Sequence, residues 1–320
     1  MESTQDIRKK FGRFRILVVG RANAGKTTLL QRICNTTEKP EIFDRKGNKI
    51  DAAVVQGTVN RGYHDIENEL VFRSNRDFVF HDSCGFESGG EGEFTKMKKF
   101  VLDRASTTKL KERIHAIWYC IPMDESHRAI TKAEERFFFE CDTSDVPVIA
   151  VFTKFDALWD DAYGQLKSSG LTRRECSIRA QEHAKEMFAN AKIWDRLRET
   201  KYPPKDSVCV AEMEKDNANC EPLLKSTTSA LGEEPMQMLL ISTQRTNMAL
   251  CIKYAVEKVL MIYIRKARGW TSVWLSKDTG VEMQRKIAAW FPHMKVRHGS
   301  TAWSNDYCES GRTLSFVNGY

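Results

Sequence analysis

Arg15-Ile16-Leu17-Val18-Val19-Gly20-Arg21-Ala22-Asn23-Ala24-Gly25-Lys26-Thr27-Thr28-Leu29-Leu30 carries three signals in an unbroken row. The β-branched run up to Val19 has the composition of a parallel strand buried on both faces. Gly20 to Thr27 fits GxxxxGK[ST] at every fixed position. A helix is then expected from near Lys26 through Leu29, Leu30 and Ile33. Strand, glycine-bounded loop and helix in that order make an anion cradle. Gly20 and Gly25 let the backbone wrap, so the amides of Asn23, Ala24, Gly25, Lys26, Thr27 and Thr28 converge on phosphate oxygens. The helix start adds the positive end of its dipole. Lys26 brings an ammonium to the β- and γ-phosphates, and the Thr27 hydroxyl is a magnesium ligand in such loops.

Outward from this loop, alternating elements imply a mostly parallel sheet covered by helices on both faces. Strands are expected at Ile66 to Phe72, Phe78 to His81, Ile114 to Ile121 and Val146 to Phe152. Helices are expected near Glu93 to Lys111 and Thr131 to Cys141. The polar stretch 36–63 is too long for an idle connection. Residues 1–13 read as a loose lead-in, and 14–266 as the nucleotide-binding domain. Residues 157–235 form an αβ insertion, with a long charged helix over Leu171 to Glu199, a short strand at Val208 to Val210 and a helix at Pro222 to Leu231. Met236 to Ile241 reads as the final core strand, before an amphipathic helix from Asn247 to Arg265. Residues 267–320 read as a helical extension with a polar tail. Arg265, Lys266, Arg268, Trp270 and Trp274 mix basic and aromatic character there, which suits a helix packed on the domain or a surface lying at a bilayer interface or against a partner.

Composition narrows the function classes. A chain of 320 residues with net charge +7 and 29% charged residues has a mild, dispersed basic excess, so no nucleic-acid partner is expected. Nine cysteines are scattered without a CxxC pair, which argues against zinc and for a reducing compartment. No secretory leader or lipidation motif is read at either end, and Lys253, Glu257 and Lys258 interrupt the most apolar stretch. The expected location is cytoplasmic, with no transmembrane segment.

Two further motifs follow strands. Asp82-Ser83-Cys84-Gly85 fits DxxG. Its aspartate can hold magnesium through a water, and its glycine amide can reach the γ-phosphate. Lys26 and Gly85 are thus the expected catalytic contacts. Thr58 is the chosen hydroxyl to complete the magnesium set of Thr27 and Asp82, with Thr36 and Thr37 as competitors. Thr153-Lys154-Phe155-Asp156 follows the next apolar strand. Its carboxylate can accept from the ring N–H and amino group of guanine, whereas adenine presents a ring acceptor there. A buried hydrogen bond of this kind rejects the wrong partner by ~10⁴-fold. Lys154 can lay its stem across the base.

Gly20–Thr27, Asp82–Gly85 and Thr153–Asp156 together resemble the translation-factor-related class of P-loop GTPases, the group that includes Ras-like proteins. The resemblance spans roughly residues 14–156 and resumes at 236–265; the whole chain is also similar to fungal proteins described only as containing a G domain. It implies an α/β G domain that binds GTP or GDP with Mg2+, and a loop switch governed by the γ-phosphate. A protein effector or activating partner is a further expectation, since a partner supplying an arginine could restore roughly 10³–10⁵ in rate. Three positions depart from the pattern. The usual NKxD is TKxD here, leaving the asparagine's tie to the phosphate loop without its residue. The SAK-type loop falls on Ser242-Thr243-Gln244, a poor match whose backbone can still reach the guanine carbonyl. A placement near Ala211 competes but lacks a helix directly after it. Phe86 stands where a glutamine usually orients the attacking water, and a phenyl ring cannot. His81, Glu87 and Arg61 are the substitutes weighed. The readings that follow are a slow GTPase switch, a guanine-nucleotide-bound scaffold without turnover, or a P-loop ATPase or kinase, which Asp156 opposes.

Overall fold

The computed structural model describes residues 4–50, 65–83, 91–125 and 130–243, with short pieces between 252 and 305. Arg13–Gly232 form one compact unit, and residues 1–12 with 233–320 form the other.

The larger unit is built on an eight-stranded sheet. Its strands are β1 (Phe14–Gly20), β2 (Glu41–Phe43), β3 (Lys49–Ile50), β4 (Glu69–Phe72), β5 (Asn75–Asp82), β6 (Ala116–Pro122), β7 (Val148–Thr153) and β8 (Asp206–Cys209). Their spatial order is β3-β2-β4-β5-β1-β6-β7-β8. From β5 to β8 the neighbours run parallel, while β4, β2 and β3 extend the sheet antiparallel. Every residue of β1, β6 and β7 is buried, as their unbroken apolar runs demand.

The α-helices with both ends described are α1 (Thr4–Phe11), α2 (Lys26–Ile33), α3 (Glu91–Ala105), α4 (Lys132–Glu140), α5 (Ala157–Ser168), α6 (Arg173–Asn190), α7 (Ile193–Arg198), α8 (Glu221–Ala230) and α9 (Glu234–Thr243). Alternation along the strands divides the core. Leu17, Tyr119, Ile121 and Phe152 join Phe100, Phe137, Phe138, Leu158 and Leu197 of α3 to α7 in one cluster. Trp118, of opposite parity, donates its indole N–H to Thr227 Oγ1 of α8 at 3.0 Å, so α8 covers the other face. Capping boxes start two of the helices, Thr131 with Glu134 at α4 and Thr172 with Glu175 at α6.

In the smaller unit, Arg8 of α1 donates to Ser242 O of α9 at 2.8 Å. β9 (Met294–Val296) and β10 (Trp303–Asn305) pair antiparallel.

Several expectations need correction. Met236 to Ile241 is not a strand but the body of α9. An apolar run this short fits either element by pattern alone; Glu234-Pro235 at its start and the Met-Gln-Met-Leu-Leu series, free of β-branched residues, favour the helix. The last strand of the sheet is β8, so residues 206–209 belong to the sheet rather than to an insertion apart from it. The expected helix over 171–199 is two helices, broken at Lys192, whose φ of +51° ends the regular turn. Residues 4–11 are helical rather than loose, with Ile7 and Phe11 buried. The described part of 36–63 holds the β2–β3 hairpin. The helix expected over 247–265 and the extension from 267 lie largely outside the described residues.

Candidate functional site

The loop from Gly20 to Lys26 joins β1 to α2 at the carboxyl end of the parallel strands. Its backbone is possible only for the residues it has. At Gly20 φ is +150°, and a Cβ there would lie 2.5 Å from Cys120 O. Asn23 and Gly25 take left-handed φ of +59° and +75°, the sharp reversals that curl successive amides inward. Lys26 folds back over the loop: its Nζ donates to Gly20 O at 2.9 Å and Arg21 O at 3.0 Å. It also stands 3.8 Å from Asp82 Oδ1. Asn23, Ala24, Gly25, Lys26, Thr27, Thr28, Asp82 and Lys154 all line one open cleft of about 1020 Å³. Pro122, Asp124, Glu125 and Thr131 complete its described wall, with Arg21 and Ala22.

β5 delivers Asp82. Val18 and Asp82 are register partners, and the Ser83 amide donates to Val18 O at 3.0 Å, which fixes the aspartate beside the loop's entry. His81 points the other way, as alternation on a strand requires. Its Nδ1–H donates to Ile66 O at 3.0 Å, and its Nε2 faces Arg15 Nη1 at 3.4 Å. Burial, with the Arg15 charge adding to it, pushes its pKa down to about 3, so the ring is a neutral core group. His81 is therefore withdrawn as a water-positioning group. Thr58, Gly85, Phe86, Glu87 and Arg61 lie outside the described residues.

β7 delivers the third motif. The Thr153 hydroxyl donates to Ala24 O of the phosphate loop at 2.8 Å, so a threonine makes the tie that the sequence had left without its asparagine. Lys154 has φ +52°, and its ammonium pairs with Asp124 Oδ2 at 2.5 Å. Asp156 Oδ1 accepts the Glu212 amide at 2.7 Å, which brings the segment after β8 against this motif. The Val210 amide continues the β7–β8 pairing to Phe152 O at 2.9 Å, and the Phe155 amide donates to Val210 O at 3.1 Å.

This arrangement overturns the premise for Ser242 and Thr243. They follow no sheet strand but end α9, where both are buried and their hydroxyls donate to Leu239 O and Leu240 O. The competing placement near Ala211 is the one that follows the last strand. A helix does come after it, though only at Glu221.

Two contributors went unnoticed in the sequence. Arg21, 7% exposed, brings its Nε to 3.4 Å from Oε1 of the wholly buried Glu134. Arg32 at the end of α2 reaches the segment after β8. Arg21 fills a variable position of the loop motif and Arg32 lies outside it, so only the three-dimensional neighbours mark them.

Residues 15–154, less than half of the chain, match the family model described as 50S ribosome-binding GTPase. This stretch is thus similar to a GTPase domain. No curated protein matches the chain. Among solved structures, a mutation variant of a protein titled SsGBP matches at 14% identity and TM-score 0.34, covering 72% of this chain and 58% of that one. A GTP-binding protein from the hyperthermophilic archaeon Sulfolobus solfataricus, in complex with GDP, matches at 13% identity and TM-score 0.33, covering 68% and 52%. The chain therefore spans little more than half the length of these two proteins.

Proposed function

We propose that the cleft binds GTP with Mg2+ and that the protein hydrolyses it slowly to GDP, acting as a nucleotide-dependent switch. The observation that carries this reading is the Thr153–Ala24 bond, which joins a base-reading motif directly to a phosphate loop.

The phosphates would lie in the curl of Asn23 to Thr28, with the Lys26 ammonium leaving Gly20 O and Arg21 O for their oxygens. Thr27 and Asp82 are a hard-oxygen pair in one cleft wall, the donor chemistry magnesium takes, and Thr58 is the third ligand we assign. A bound magnesium ion would supply charge neutralisation across the β- and γ-phosphates. Lys26 would stabilise the charge on the transferring phosphoryl group, with the Gly85 amide as its partner. At the base end, Asp156 would accept from guanine while Lys154 covers the ring face. Ala211 replaces Ser242 and Thr243 as the backbone donor to the guanine carbonyl.

A second reading, a guanine-nucleotide-bound scaffold with negligible turnover, is favoured by one pair of observations. Phe86 replaces the usual glutamine, and His81 is sealed in the core. Slow hydrolysis then depends on a partner, and a cytoplasmic protein effector or activator is part of the proposal.

Competition binding with Mg2+ tests the nucleotide: labelled GTP displaced by GTP, GDP or ATP, with Asp156→Ala alongside. Guanine nucleotides should win by orders of magnitude and the variant should lose that preference. Equal competition by ATP would move the protein to the ATPase or kinase class. A single-turnover assay then separates switch from scaffold by whether bound GTP becomes GDP.

A further inference from the structure

The segment 210–216 has no regular structure, yet it is tied down from two sides. On one side Val210 extends the β8 pairing and Asp156 takes the Glu212 amide. Glu212 itself has φ +53°, and the Lys215 amide closes a turn on Glu212 O at 2.9 Å. On the other side stands a single side chain. Arg32, with 13% of its side chain exposed, donates from Nε to Met213 O at 2.7 Å and from Nη2 to Glu214 O at 2.6 Å. Its Nη1 meets Asp216 Oδ1 at 3.0 Å, but that carboxylate is 96% exposed and adds little. The two charge-assisted bonds to carbonyls are the ones that hold.

Arg32 sits in the last turn of the helix whose first residue is Lys26. One short helix thus begins in the glycine-bounded loop at Lys26 and holds the segment after β8 from its last turn. We propose that Arg32 is a positioning residue for base selection. It holds Ala211 to Glu214 where a backbone amide meets the 6-oxygen of a purine, so loss of Arg32 weakens 6-oxo purine nucleotides and spares the phosphate contacts. The proposal rests on the guanine-nucleotide reading above and assigns this loop's support to α2 rather than to the sheet alone.

The test compares dissociation constants of GTP, ITP and ATP for the full chain with Mg2+, using wild type, Arg32→Met, Arg32→Lys and Asp156→Ala. GTP and ITP share the 6-oxygen; only GTP has the 2-amino group that Asp156 would also read. Arg32→Met should weaken GTP and ITP together by about tenfold, leaving their ratio and the ATP value unchanged. Arg32→Lys should recover part of the loss. Asp156→Ala should instead shrink the preference for GTP over ITP. Unchanged GTP binding in Arg32→Met, or equal weakening of all three nucleotides, would overturn the proposal by making Arg32 a spectator or a fold-wide support. Wild-type protein with no preference for GTP over ATP would sink the parent reading, and this one with it.

Discussion

At Thr153 one hydroxyl links two motifs that the sequence reading could only set side by side. The bond to Ala24 O is buried, so removing its donor leaves a carbonyl without a partner, a loss of about 1–3 kcal/mol. Thr153→Val keeps the shape and deletes the donor. It is expected to weaken GTP about tenfold or more and to lower the urea midpoint, while Thr153→Ser, which keeps the hydroxyl, stays near wild type on both. Equal behaviour of the two variants would show that the tie carries no energy. Asp124 makes a different case. Its pair with Lys154 is 36–41% exposed, which caps its worth for stability. Asp124→Asn should leave the unfolding midpoint within error, yet weaken GTP several-fold, because the lysine stem is no longer anchored across the base. Isothermal titration beside a denaturant curve separates the two effects. The motif residues could be proposed from spacing, because each chemical task restricts residue type at Gly20, Lys26, Asp82 and Asp156. Asp124 could not, since no pattern marks a carboxylate that touches Lys154 only after the chain has folded.

The elements were legible to different degrees for physical reasons. β1, β6 and β7 are long β-branched or aromatic runs buried on both faces, and such runs have few other uses in a domain of this size. β8 has only four residues, with a half-buried polar start at Asp206 and Ser207, so the sequence marked a short strand at Val208 to Val210 but not its place at the edge of the main sheet. The more apolar run at 236–241 then drew the strand assignment, and with it Ser242 and Thr243. α4 shows what an element adds once it is placed. Its capping box puts Glu134 under Arg21 of the phosphate loop, with Thr131 donating its amide to Glu134 Oε2 at 2.8 Å. Both members of the ion pair are buried, so removing Glu134 takes the nearer carboxylate from a buried guanidinium and leaves the exposed Glu125 at 4.0 Å. Glu134→Ala should cost about 3–5 kcal/mol by urea denaturation. Pairing it with Arg21→Met should recover much of that loss. A double variant no more stable than Glu134→Ala would mean that α4, rather than the buried arginine, bears the penalty.

At the scale of the larger unit, the core holds a buried polar cluster of Arg15, His81 and His115. Arg15 enters the core from β1, donating to Lys111 O at 2.6 Å and pairing with Glu69 at 2.7 Å. Its backbone amide donates to His115 Nδ1 at 2.9 Å, so that ring carries its proton on Nε2. Burial first, and the Arg15 charge second, hold both His81 and His115 down at about 3. None of this was visible in the chain, where two histidines 34 positions apart carry no shared signal. The consequence is a pH dependence with a definite sign. Folded, both rings are neutral; unfolded, each takes up a proton below its ordinary value near 6.5. Between about 6.5 and 3 the unfolded chain therefore binds more protons, and stability falls as pH falls. The loss is about 1.4 kcal/mol per pH unit for each histidine fully inside that window. Urea curves at pH 7.5 and pH 5 should show it as a lower midpoint in acid. His115→Gln keeps an acceptor for the Arg15 amide and removes one titrating group. It should be somewhat less stable at pH 7.5, yet lose only about half as much between the two pH values. A slope unchanged by that substitution would place the acid sensitivity in groups other than His115.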